Sequence, residues 1–339
     1  MNKNAMLDDI EYGDVFQIAD IYNIPASVTI EVDTQCNLRC KHCYISDHGS
    51  DKLQISELDD IFRQLREMGT FEIVLTGGEI FIRDDSVDII KLARKYGFDV
   101  IIFSNATLIS EDIARELGNC YVGMFSTSIY SMDDKIHDGI TGVDGSLQMT
   151  LSGLSYLKKY NVPVEVKTMV MKENCFSLDD IYAYCKNNGF GCVASPYLFC
   201  RTDCNKDPIG LRMDSNELKK VMPVVDEIIG FSPQERNADD YMCPTLQHSF
   251  GISATGKVFP CNAMFYEVGD IRVNRLDEIW LSEKLSKVKQ LRFKDLTKCS
   301  GCAISNYCVR CAGIALGETG NMLSDFPFAC KIAQIRSRK

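Results

Sequence analysis

The 339-residue chain has no apolar run that approaches a membrane span, and its start, Met1 to Gly13, holds no apolar segment long enough for a secretory signal. Asp8, Asp9 and Glu11 make that start acidic instead. Histidine is scarce, with four in the chain, and His48, His137 and His248 form no pair at helical ligand spacing and read as packed or surface residues. Positive charge is in deficit, with 37 Lys and Arg against 47 Asp and Glu and a formal charge of -10, which argues against a nucleic-acid or lipid-surface partner. Gly139, Gly142 and Gly145 miss the spacing of a dinucleotide loop, and no phosphate-loop lysine motif is present. No Pro, Ser or Gly linker, low-complexity stretch or solenoid repeat divides the chain. The one tryptophan, Trp280, reads as the packed anchor of a short helix.

What the chain has is sulfur. Sixteen cysteines in 339 residues are too dilute for a small disulfide scaffold, so the protein reads as cytoplasmic, with reduced thiols free for metal. The remaining composition, 45% apolar and 25% charged, is that of a globular chain long enough for two domains.

From Val28 to Tyr197 six β-branched apolar runs (28–33, 71–76, 98–104, 122–129, 164–170 and 191–198) alternate with amphipathic stretches at 56–68, 86–96, 110–117, 146–160 and 178–187. Several of those stretches open on Ser followed by acids, as helix caps do. Repeated strand–helix units predict a parallel sheet with right-handed crossovers, as either an incomplete barrel or an open doubly wound sheet. A further helix is expected at 214–229, after which the chain reads as loop-rich and cysteine-rich. The expected division is an N-terminal segment 1–27, a core 28–234 and a tail domain 235–339.

At the end of the first strand stands Cys36-Asn-Leu-Arg-Cys40-Lys-His-Cys43-Tyr44. Three thiolates from one loop can hold three irons of a [4Fe-4S] cube and leave the fourth open to a ligand, whereas a closed electron-transfer cluster takes four cysteines. Zinc is the competing reading, with His42 as the nearby fourth donor, although zinc sites favour paired Cys-x2-Cys knuckles.

This loop resembles the signature of the radical S-adenosylmethionine (SAM) superfamily, and the resemblance continues for about 170 residues. It implies an α/β core in the form of a partial (β/α)6 TIM-type barrel, with Cys36, Cys40 and Cys43 ligating the cluster. Thr76-Gly77-Gly78-Glu79 resembles the family's GGE motif, whose glycines would let the backbone approach SAM. Ser104-Asn105 ends the third strand where relatives have Ser/Thr-Asn-Gly, with Ala106 departing from that pattern. Ser126 and Ser128 would approach the SAM ribose, Lys167 its carboxylate, and His42 and Tyr44 would join the cofactor contacts. Asn174 follows Lys167 as in relatives. The stretch Ser128 to Gly142 is also similar to family sequence, with departures at Tyr130 and Thr141.

The tail supplies Cys243, then Cys261 within a Gly256-x4-Cys261 lead, then Cys299-x2-Cys302-x5-Cys308-x2-Cys311, and last Cys330. A zinc ribbon separates its two knuckles by about 15–20 residues rather than five, and seven thiols exceed what one zinc takes. The array resembles the SPASM extension of radical SAM enzymes that modify peptides, except that two rather than three residues separate Cys308 from Cys311. By that resemblance Cys299, Cys302, Cys308 and Cys330 would hold one auxiliary [4Fe-4S] cluster, and Cys243, Cys261 and Cys311 another with one open position.

Of the other thiols, Cys120, Cys175, Cys185 and Cys192 fit core positions, whereas Cys200 and Cys204 lie in a polar loop after the sixth strand. Either could donate hydrogen to a substrate radical or complete the open auxiliary site. The resemblance implies reductive cleavage of SAM to a 5′-deoxyadenosyl radical and oxidative modification of a peptide or protein, first of all a thioether or carbon–carbon crosslink in a ribosomal peptide. Residues 1–27 are too few for a folded leader-binding domain, so recognition would fall to the barrel or a separate leader-binding protein. An external donor of the flavodoxin or ferredoxin type would supply electrons. The rival expectations are a small-molecule dehydrogenase, a sulfatase-type maturase and a non-enzymatic iron–sulfur carrier.

Overall fold

A computed structural model describes residues 12–338; the acids at Asp8, Asp9 and Glu11 lie outside the described residues. Its sheet is ordered β6-β5-β4-β3-β2-β1-β7-β8-β9. The first six strands, β1 (Ser27–Glu31), β2 (Glu72–Thr76), β3 (Asp99–Phe103), β4 (Met124–Ser128), β5 (Val164–Met169) and β6 (Gly191–Ser195), match the six expected runs and pair in parallel.

The strand order decides between the two architectures that periodicity left open. A doubly wound sheet reverses direction at a switch point, whereas here each strand adds beyond the last, so right-handed crossovers lay every helix on one face. The result is the partial barrel. Alternation along each strand supports it. Val28 and Ile30 share one buried cluster with Leu58, Ile61 and Leu65 of helix Ile55–Glu67, while the other row carries polar groups into the bore, where Ser126 stands opposite Glu165 and Ser128 opposite Lys167.

The barrel is not closed by its own strands. The free edge of β1 takes β7 (Ser249–Ile252) from the tail in parallel, with Ser27 paired to both Glu72 and Ser249. β8 (Lys257–Phe259) and β9 (Gly269–Asp270) continue the sheet in antiparallel fashion. The tail thus shares the core's backbone hydrogen bonding, which covers an edge that would otherwise be open.

One expectation needs correction, and one helix comes in addition. The tail is richer in helix than its loop-like sequence suggested, with Glu283–Lys289, Ala312–Thr319 and Pro327–Arg336 in addition to the anticipated short helix Leu276–Trp280. The segment Ala312–Thr319 is apolar over its first six residues and holds two glycines, so it carries little amphipathic period; a Cβ on Gly313 would stand 2.0 Å from the Ala263 carbonyl. The additional helix is Asp134–Thr141, a separate one before Ser146–Lys159, opened by Asp133, which accepts from the Lys135 and Ile136 N–H groups, and closed at Gly142 with φ 75°. Trp280 is buried as expected and donates its Nε1–H to the Asn23 carbonyl (2.7 Å).

Candidate functional site

Three strand ends converge on the cysteine loop. Beyond β1, residues 33–35 run beside the end of β2: the Gly78 N–H donates to the Asp33 carbonyl (2.9 Å), and the Glu79 N–H donates to the Gln35 carbonyl (2.7 Å). A Cβ on Gly77 would lie 2.2 Å from the Asp33 oxygen, and one on Gly78 would lie 2.1 Å from the Gln35 oxygen. These glycines also line the cavity described below, but their tightest constraint is chain against chain, which the sequence reading had assigned to the ligand.

Glu79 departs further from expectation. Its carboxylate is 1% exposed, does not line the cavity, and accepts from the Phe81 N–H (3.0 Å), the Ser104 hydroxyl (2.8 Å) and the Asn105 N–H (2.7 Å). It braces the end of β3 against the end of β2. Burial raises its pKa, and these three donors oppose the rise. Asn105, so held, donates its Nδ2–H to Asn37 (2.9 Å) and reaches the Cys36 Sγ at 3.9 Å. Ala106, at the position of the family glycine, takes φ 62°, so the tight turn persists without the glycine.

The loop itself hangs on the end of helix Asp134–Thr141. The Arg39 N–H donates to the Thr141 carbonyl (2.8 Å) and the Lys41 N–H to the Ile140 carbonyl (3.0 Å), while His42 packs edge-on to Tyr130 at 4.8 Å. The stretch from Ser128 to Gly142 therefore positions the cysteine loop.

A cavity of about 300 Å³ opens at this barrel mouth, walled by Cys36, Cys40 and Cys43 on one side and by Gly77, Gly78, Ser104 and Asn105 on another. Ser126, Ser128 and Lys167 face it from β4 and β5, and His42 and Tyr44 complete it. Lys167 is not an exposed edge residue: its ammonium lies 3.2 Å from Glu165 and 3.7 Å above the Phe103 ring, and burial lowers its pKa. Burial pushes Cys36 up to about 11 and Cys40 up to about 12, so metal binding here must displace thiol protons. The His42 Nδ1 is buried without a hydrogen-bond partner, and burial holds its imidazole down at about 4. Half-buried thiols around a cavity and an orphaned ring nitrogen beside them fit a bound cluster and its ligand.

Sequence reasoning missed Arg201. Its Nε is buried without a partner, and its charge acts on Cys43 and His48. A basic residue just past the sixth strand was the available signal. Missed too was the link from Tyr44 to Glu31, whose carboxylate accepts the phenol O–H at 2.6 Å. Glu31 lines a second cavity of about 390 Å³ that also touches Ser46, Thr202, Phe265 and Cys261.

The tail thiols fall into two groups. Burial raises the pKa of Cys243 and Cys261, the latter to about 12, and Cys311 adds to both; burial likewise raises Cys299, Cys308 and Cys330, Cys308 to about 11, and Cys302 adds to all three. Among the described residues no three His, Cys, Asp or Glu side chains converge as a single metal ion requires; a cubane spreads its thiolates around a larger body. Cys200 and Cys204 are not brought to either cavity. Cys200 is 3% exposed, with its Sγ against Gly317, and Cys204 is exposed in a turn at φ 66°. Cys175 and Cys185 are buried, and Cys120 and Cys192 pack against the main core.

Residues 30–184 match the family model of the radical SAM superfamily, and residues 243–303 match that of the SPASM iron–sulfur cluster-binding domain. The chain carries a radical SAM domain followed by a SPASM domain. The first implies a [4Fe-4S] cluster with SAM, and the second implies auxiliary iron–sulfur clusters. Similar proteins include an AdoMet-dependent heme synthase of Oleidesulfovibrio alaskensis, 25% identical over 88% of this chain and 85% of that protein. The antilisterial bacteriocin subtilosin biosynthesis protein AlbA of Bacillus subtilis is 26% identical over 86% of this chain and 68% of its own length. In fold, this radical SAM enzyme is similar to Streptococcus suis SuiB crystallised with the precursor peptide SuiA, at a TM-score of 0.70 and 16% identity, covering 91% of this chain and 77% of SuiB. Among the described residues no helix is long and apolar enough to cross a membrane.

Proposed function

We propose that this radical SAM enzyme modifies a peptide oxidatively, with a thioether or carbon–carbon crosslink as its product. The observation that carries the reading is Cys261. One of three grouped tail thiols, it lines an open cavity whose wall, through Glu31 and Tyr44, adjoins the cavity that holds the three-cysteine loop. A three-thiol site facing such a space leaves room for a substrate group, such as a peptide thiol, as fourth ligand. The relation to AlbA, a bacteriocin biosynthesis protein, supports a peptide substrate.

In this reading Cys36, Cys40 and Cys43 hold the first cluster; Cys299, Cys302, Cys308 and Cys330 hold one auxiliary cluster; and Cys243, Cys261 and Cys311 hold the other. The core would span 28–234 and the auxiliary domain 235–339. When bound, the first cluster and SAM supply a hydrogen-abstracting radical by one-electron cleavage. The protein's part is placement. Gly77, Gly78, Ser104 and Asn105 fix the cavity wall around SAM, Ser126 and Ser128 present hydroxyls to its ribose, and Lys167 offers a cation to its carboxylate. Arg201, with a buried nitrogen to satisfy, offers a second cation whose charge reaches Cys43 and His48. An external one-electron donor and a separate leader-binding protein are the expected partners.

A second reading, a small-molecule substrate, is favoured by the heme synthase relatives, which match as much of the chain. The deciding experiment is mass spectrometry on anaerobically reconstituted protein with SAM, dithionite and a precursor peptide encoded beside the gene. Formation of 5′-deoxyadenosine with loss of two hydrogens from the peptide is expected, and neither should occur in a Cys36→Ala, Cys40→Ala, Cys43→Ala variant. Equal 5′-deoxyadenosine from that variant would overturn the cluster assignment, and cleavage without any peptide product would favour the second reading.

A further inference from the structure

The three arginines that folding buries most fully have carboxylate partners. Arg83 pairs with Asp85 at 2.8 Å, Arg212 with Glu318 at 2.6 Å, and Arg336 with Asp226 at 2.7 Å. Arg310, in the loop between Cys308 and Cys311, does not. Among the described residues no carboxylate lies within ion-pair distance of it. Its Nη2 and Nε donate to the carbonyls of Met322 and Ser324, with Nη2 at 2.6 Å from Ser324, so its position is fixed from behind. Its Nη1 is out of solvent with no hydrogen-bond partner.

The groups that face it are thiols from both tail sets. Cys299 lies against the guanidinium, and Cys308 of the same set and Cys311 of the other are near enough for their charge to reach it. A guanidinium does not shed its proton, and a half-buried one without an anion carries an uncompensated desolvation cost. Carbonyl dipoles alone do not neutralise it. Thiolates ligating iron would supply the missing negative charge and an acceptor for the free Nη1–H. The orphaned donor, its clamp and its place between two cysteine groups thus fit a cation meant for bound clusters rather than for protein.

We propose that Arg310 is a positioning residue for the auxiliary centres, its fixed positive charge between the two tail cysteine sets favouring the reduced state of both. The proposal rests on the assignment of those cysteines as cluster ligands. A nearby cation stabilises an added electron, and a hydrogen bond to a ligating sulfur acts in the same direction. Arg310 would thereby make the tail a better electron acceptor from the barrel site.

The test is an anaerobic redox titration followed by electron paramagnetic resonance, on full-length protein carrying Cys36→Ala, Cys40→Ala and Cys43→Ala so that only auxiliary centres report. Into it are placed Arg310→Met, Arg310→Lys and, as a control on charge elsewhere, Lys294→Met, which removes the cation of the exposed pair with Asp239. Iron and sulfide are quantified in each. With iron retained, Arg310→Met should move the midpoint potentials to more negative values, Arg310→Lys should move them less, and Lys294→Met should leave them in place. Unchanged potentials in iron-replete Arg310→Met, or an equal shift in Lys294→Met, would overturn the proposal. If Arg310→Met loses its iron, the lysine variant decides: an iron-replete Arg310→Lys with potentials unchanged or slightly lowered supports the charge, and one that loses iron too makes Arg310 a structural clamp and overturns it. Failure of the ligand assignment is separable, because Cys299→Ala and Cys261→Ala would then keep the full auxiliary iron content.

Discussion

Gly78→Ala separates two accounts of the paired glycines at the end of β2. If the glycines serve ligand approach alone, an added methyl group weakens SAM binding and leaves the apoprotein intact. The structure predicts otherwise. The new Cβ would stand 2.1 Å from the Gln35 carbonyl oxygen and 2.6 Å from that of Thr34, both backbone atoms of the segment that leads into Cys36. Ordinary contact begins near 3.4 Å, so the strand ends must part by more than an ångström. Parting them strains the hydrogen bonds from Gly78 to Asp33 and from Glu79 to Gln35. Overpacking costs about 1–3 kcal/mol and each lost hydrogen bond about 1 kcal/mol, so the variant should lose about 3–5 kcal/mol. That is a large share of the roughly 5–15 kcal/mol that holds a domain together. Urea unfolding of the apoprotein measures this loss, and iron content after reconstitution reports whether the displaced segment still presents Cys36. A variant with wild-type unfolding and iron but weakened SAM binding would refute the chain-packing account.

Gly153→Ala should destabilise the protein although alanine favours helix, because its Cβ would lie 2.3 Å from the Ala106 carbonyl; thermal unfolding above wild type would refute this. Burial holds His137 down at about 4 while its Nδ1 accepts the Tyr130 N–H, so it folds neutral. Since the unfolded imidazole titrates near 6.5, stability is full above that pH and falls by about 3 kcal/mol as pH drops to 4; in His137→Gln apoprotein this fall should be absent, and urea titrations at pH 7 and pH 4 compare the two. Cys204→Ala should retain iron and product, because the thiol is exposed in a turn away from both cavities, and loss of either in mass spectrometry would restore it as a functional thiol. Glu79→Gln turns an amide N–H2 toward groups that all donate, so it should cost about 1–3 kcal/mol in unfolding and displace Asn105, whereas wild-type stability would mean that the brace is not needed.

The sequence by itself determined what depends on neighbours in the chain. The period of two in Val28 to Asp33 and the Ser-led helix starts gave the six units, because a strand or cap is written in adjacent residues. Cys36, Cys40 and Cys43 were legible for the same reason: one loop supplies all three thiols. Grouping Cys243 and Cys261 with Cys311 needed a resemblance, since residues so far apart carry no local signal. Only the tertiary structure decided the rest. Periodicity could not tell a barrel from a doubly wound sheet, because strand order is a matter of long-range pairing, as is the addition of β7 to β1. Glu79 looks like a ligand contact in its motif and is a buried brace, because Ser104 and Asn105 come to it from another strand. Arg201 and Arg310 are unremarkable in sequence; each stands out only once folding removes water from one nitrogen, Nε of Arg201 and Nη1 of Arg310, and supplies it with no acceptor.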